Sequence, residues 1–99
     1  MSKDKVFVTI DHIDDYSDST ALRVGDILTL KKDHDNYYDD EAIVAYGKHK
    51  NKCGYVANSV PTVARGTYSA GRVYDKIKED QQCVIRFITE ECLIGELIE

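Results

Sequence analysis

DILTLKKDHDNYYDDEAIVAYGKHKNKCGYVA, residues 26–57, is the stretch that decides the fold. Its first seven residues alternate, with Ile27, Thr29 and Lys31 on one side and Leu28 and Leu30 on the other, the period of a half-buried strand. Residues 41–46 and 52–57 are two more such segments. They flank Gly47-Lys48-His49-Lys50-Asn51, polar or glycine throughout, which predicts a hairpin. Between the first two strands lies an acidic, tyrosine-bearing loop over residues 33–43, the most informative piece of the chain.

The pattern continues outward in both directions. Residues 5–10, KVFVTI, alternate like a strand, and the Asp/Ser-rich residues 11–20 predict a wide loop. Val24-Gly25-Asp26 marks a turn. Beyond Asn58 the character changes. Ser59-Val60-Pro61 leads into a short helix ending at Gly66, with proline in the first turn and glycine at the stop. Residues 69–78, SAGRVYDKIK, predict a second short helix capped by Ser69 and weakened by Gly71. Residues 82–89 and 92–98 are the closing strands, separated by Glu90-Glu91. The expected architecture is mostly β with short helices: one domain over residues 1–99, a small OB- or SH3-like barrel of about six strands, with one or two short helices before the last two. Parallel βαβ units need longer helical crossovers than this chain offers.

Composition narrows the function classes. The longest apolar run is far too short to span a bilayer, and no signal-peptide stretch opens the chain, so a cytoplasmic protein is expected. Cys53, Cys83 and Cys92 are odd in number and lack Cys-x-x-Cys spacing, which predicts small core thiols in a reducing compartment. His12, His34 and His49 do not pair with them, so neither a metal site nor a cofactor is expected. Asp33 and Asp35 fit the first positions of a calcium loop, but Tyr37 and Tyr38 occupy the next ones. Asp14–Asp15 and Asp39–Asp40 are adjacent pairs whose side chains diverge on an extended chain, so neither makes a catalytic dyad. No nucleophile elbow or phosphate loop is present, and a binding module is expected rather than an enzyme. The net charge of −5 counts against general affinity for phosphates, though not against a small pocket for one nucleic-acid end.

Asn36-Tyr37-Tyr38-Asp39 carries the remaining signal. Asparagine and aspartate are common turn formers. Two adjacent tyrosines need more, because when one packs on the core edge its neighbour faces solvent or a ligand. An exposed tyrosine beside polar acceptors is a stacking platform for a base or sugar.

Leu28-Thr29-Leu30, then Asp35-Asn36-Tyr37-Tyr38-Asp39-Asp40-Glu41-Ala42-Ile43, then Cys53-Gly54-Tyr55-Val56 and a short helix, together resemble the HIRAN domain pattern from Lys5 to about Ile88. That resemblance implies an OB-like barrel that captures the 3′ end of single-stranded DNA, in DNA repair or at replication forks. A helicase or nuclease would be a fitting protein partner. By position, it implies that Asn36 contacts the backbone, Tyr38 stacks on the terminal base and Asp39 accepts a hydrogen bond from the terminal hydroxyl. Tyr55 would stand at the pocket floor. A carboxylate accepts from a free hydroxyl and repels an added phosphate, so it selects an unmodified end. The chain also departs from the pattern. Ile13-Asp14-Asp15-Tyr16 stands where DNA-binding members carry an Arg-Tyr-Tyr-like stretch, and Asn58 replaces an expected lysine. Exchanging cations for anions weakens phosphate binding by a few kcal/mol at low salt. Lys31, Lys32, Lys48, Lys50, Lys52 and Arg65 are the cations available to offset it. The alternative is a protein-interaction or adaptor module on the same barrel, its DNA pocket lost.

Overall fold

A computed structural model describes residues 5–11, 22–34, 41–47, 51–58, 66–89 and 92–98. Its elements in chain order are β1 (Phe7–Asp11), β2 (Ile27–Lys32), β3 (Ile43–Tyr46), β4 (Lys52–Val56), α1 (Ala70–Val73), β5 (Gln81–Ile88) and β6 (Leu93–Ile98). The strands close into an antiparallel barrel in the order β1-β4-β3-β2-β5-β6, with β6 returning to β1. Closure leaves every strand with two neighbours, which removes the exposed edges that short strands otherwise offer to other chains. The expected barrel is therefore the observed one, with a single described helix before the last two strands.

Side-chain alternation explains why the barrel closes. Leu28 and Leu30 point inward from β2, Ile43 and Ala45 from β3, Val8 and Ile10 from β1. They meet Cys53, Val56, Cys83, Ile85 and Leu93 in one buried cluster. Burying one such Leu, Ile or Val contributes about 1.5–3 kcal/mol, set against the conformational entropy lost on folding. Cys53 and Cys83 are free and buried, while Cys92 is half-buried. Gly95 faces this core: a Cβ there would stand 3.1 Å from the Cys83 sulfur and 3.7 Å from Ile10 Cδ1, so the close-packed interior leaves little room for a side chain.

Two register shifts shape the barrel. Between β3 and β4, Ala45 opposes Gly54 but Tyr46 opposes Lys52, so Cys53 is the extra residue. Between β5 and β6, Ile85 opposes Gly95 and Phe87 opposes Ile94, which leaves Arg86 extra. Such bulges bend a strand and increase its twist. Arg86 uses its position to donate from Nε to Glu96 Oε1 at 2.8 Å, pairing the one buried acid among the described residues.

The second expected helix is shorter than its sequence span suggests. Regular helix covers only Ala70–Val73, although Tyr74 N–H bonds Ala70 O and Ile77 N–H bonds Val73 O beyond it. The Ser69 hydroxyl makes no capping bond. The segment Ala57–Asn58 does that work instead: Ala70 N–H donates to Ala57 O at 2.9 Å and Gly71 N–H to Asn58 Oδ1 at 2.8 Å. A helix of this length is unstable alone, and tertiary packing of Ala70, Val73 and Ile77 onto the barrel core holds it. The helix expected at residues 59–66 falls almost wholly outside the described residues, as does the wide loop over residues 12–20.

Candidate nucleic-acid interface

The loop between β2 and β3 springs from a hydrogen-bonded neck, where Asp33 N–H donates to Ala42 O at 2.8 Å. This bond extends the antiparallel ladder one step past Lys32↔Ile43, so β2 and β3 stay paired up to Asp33 and Ala42. Asn36, Tyr38 and Asp39 lie outside the described residues, and so do Asp14, Asp15 and Tyr16. What the structure describes is the rim around the neck.

Three elements build that rim. On β2, Lys32 continues the inward series of Leu28 and Leu30, but at the barrel mouth. Its ammonium sits 4.6 Å from the centre of the Tyr74 ring, just beyond α1. A cation over an aromatic face at this distance contributes about 0.5–1 kcal/mol where it is exposed. From the loop's far side, Glu41 approaches α1 so closely that a Cβ on Gly71 would come 2.6 Å from its Oε1. A side chain at position 71 would therefore push Glu41 off the helix. Asn58 completes the rim by accepting the Gly71 N–H. The asparagine in place of the expected lysine thus has a structural role, holding α1 against the end of β4. Its signal was unreadable in the sequence, because the bond spans 13 residues.

Tyr55 lies on β4, across from Asp11 on β1 and Val44 on β3. Ile10 and Val56 are cross-strand partners inside the barrel, so the next pair, Asp11 and Tyr55, faces outward. Tyr55 is also opposite Val44, and Val44 opposite Lys31, giving an outer row Asp11–Tyr55–Val44–Lys31 across four strands. Val44 lies two residues from Ala42, about 7 Å along the strand, so Tyr55 neighbours the part of β3 that leads to the neck. The structure therefore brings Tyr55 to the loop's base, half-buried on the outer face. It also places Asp11 next to it, as the last residue of β1, where the sequence predicts a polar loop.

Further along, α1 and the turn just after it carry a second cationic group. Arg72 lies 5.1 Å and Lys76 5.9 Å from the centre of the Tyr68 ring, and both cations are exposed. Tyr68 is tied to β1 by its N–H to Phe7 O, so this group and the Lys32–Tyr74 pair on β2 are two separate basic and aromatic spots on a chain whose total charge is −5. Among the described residues, no three His, Cys, Asp or Glu side chains converge to hold a metal ion. No described helix is long and apolar enough to cross a membrane.

A six-stranded closed antiparallel barrel with one described short helix before its last two strands defines a small OB-like module. The fold is HIRAN-like. It superposes on the crystal structure of the HIRAN domain of human HLTF with a TM-score of 0.66, at 16% sequence identity, over 94% of this chain and 74% of that one. A protein from Lactobacillus plantarum is similar at a TM-score of 0.60 and 20% identity, over 97% of this chain and 98% of that one. No family model matches the sequence, and no curated protein matches it significantly.

Proposed function

We propose that this chain is a nucleic-acid-binding module, without catalytic activity of its own, that holds the 3′ end of single-stranded DNA at the β2–β3 loop. In this scheme Tyr38 stacks on the last base, Asp39 accepts from the terminal hydroxyl and Asn36 contacts the backbone. Tyr55 flanks the base from the outer face of β4. What supports the proposal is a HIRAN-like barrel whose sequence carries Asn-x-Tyr-Asp between β2 and β3, strands joined at a neck rimmed by Lys32 and Tyr74. Lys32, Arg72 and Lys76 supply part of the positive charge that Asp14, Asp15 and Asn58 do not.

Titration of a labelled oligonucleotide bearing a free 3′ hydroxyl, and of its 3′-phosphorylated twin, tests this at low salt. The hydroxyl form is expected to bind at least about tenfold more tightly, the size of one charge-assisted hydrogen bond. Asp39→Ala and Tyr38→Ala should abolish the preference. Equal binding of both forms, or none, would overturn end capture.

A second reading, a protein-interaction module, is favoured by the apolar side chains left exposed at one side of the barrel. Phe87 is 61% and Val24 60% exposed, with Ile27 and Ile88 also open to solvent. Failure to bind either oligonucleotide, with the fold intact, would favour this role.

A further inference from the structure

The outer face of the sheet formed by β3, β2 and β5 carries a groove whose Lys31 end borders the loop neck, two residues from Asp33. It encloses about 450 Å³, within the range of small-molecule sites, and is lined by Thr29, Lys31, Tyr46, Gly47, Asp80 and Gln82. Register explains its shape. Thr29 is opposite Tyr46 on one side and Gln82 on the other, so a small side chain forms the floor between an aromatic wall and an amide wall. Lys31 follows on the same face of β2. Asp80, in the turn before β5, reaches it with Oδ1 3.2 Å from Nζ. Asp80 holds a left-handed backbone conformation, φ 60°, which aspartate tolerates better than most residues. The Lys31 ammonium stands over the Tyr46 ring at 5.9 Å from its centre, a long and exposed contact that a stacking base would displace.

We infer that this groove binds a guanine base, free or in a single strand. Tyr46 offers a flat wall on which a base can stack. At the groove's other side, Lys31 and Asp80 set one donor beside two acceptor oxygens. Guanine presents the complement: the O6 acceptor next to the N1–H and N2–H donors. A carboxylate takes that pair of N–H groups as it takes the fork of a guanidinium, and a lysine donates to O6. Adenine, cytosine and thymine each present a single donor position on this edge, so the carboxylate would keep an unfilled oxygen. The adjacent carboxylate also disfavours phosphate at Lys31, so the base and not the phosphate is the recognised group.

Nuclear magnetic resonance titration with guanosine, adenosine and cytidine 5′-monophosphates at constant ionic strength tests the inference. The guanosine nucleotide is expected to shift the Thr29, Gly47 and Gln82 amides and to bind about tenfold more tightly than the others. Asp80→Asn should erase that preference and Tyr46→Ala should remove binding, each with the dispersed spectrum of the folded barrel retained. Asp39→Ala and Tyr38→Ala should leave the groove's binding unchanged, which separates it from capture of a 3′ end. Equal affinity for the three nucleotides, shifts confined to the loop neck, or no shifts would each overturn it.

Discussion

Cys83 shows how burial sets the chemistry of a single residue. Enclosed in the barrel opposite Leu28 and against Gly95, its thiol is pushed from 9.0 up to about 12 by loss of solvation, with a backbone hydrogen bond to Leu28 pulling weakly the other way. The raised value favours the protonated form in the folded chain, whereas the unfolded chain ionises near 9.0. The stabilising contribution is thus complete below pH 9.0 and is lost as pH climbs toward about 12, where the native thiol also ionises. Within that window the folded state binds one more proton than the unfolded state, so stability should fall by up to about 1.4 kcal/mol per pH unit from this group. Urea unfolding across the alkaline range checks this, and Cys83→Ala should flatten the slope while lowering stability at neutral pH. Only half-buried Cys92 should react readily with thiol reagents before unfolding.

At the scale of elements, α1 depends on partners distant in sequence. Its first amide groups are satisfied by Ala57 O and Asn58 Oδ1, and its buried face by the barrel core. Asn58→Ala removes the acceptor for the Gly71 N–H and should cost about 1 kcal/mol, read as a lower midpoint of thermal or urea unfolding. Asn58→Ser restores a short acceptor of different reach and should recover only part of the loss. Because Glu41 and Asn58 both crowd Gly71, loosening α1 also loosens the rim of the β2–β3 loop. A weakened 3′-end preference should therefore accompany the lost stability. The barrel strands are less sensitive to any one bond, since each is held along both sides.

For the whole molecule, charge is the controlling quantity. With 13 basic against 18 acidic residues, few phosphates can be neutralised at once. The logarithm of the binding constant for single-stranded DNA should fall with the logarithm of salt concentration at a slope of about −0.7 per phosphate contacted. Lys32, Arg72 and Lys76 set the expected number near three, so the slope should be close to about −2 and should become shallower by about 0.7 in Arg72→Ala. A much steeper slope would show that cations beyond these three engage the strand.

Strand positions, the turns at Gly25 and Gly47 and the barrel class are local properties, legible because alternation and turn chemistry act over a few residues. The same locality made Asn36-Tyr37-Tyr38-Asp39 stand out by residue type, while the separate roles expected of Asn36, Tyr38 and Asp39 come only from the resemblance to the HIRAN pattern. Long-range matters were hidden. Nothing in SAGRVYDKIK tells that Ser69 leaves its helix uncapped while Asn58 supplies the acceptor, or that Tyr55 turns outward beside Asp11. The sequence by itself determined which segments extend and which loop stands out by residue type. Only the tertiary structure decided which side chains share a face. That depends on register and on barrel closure, and a shift of one residue would exchange inside for outside along a whole strand.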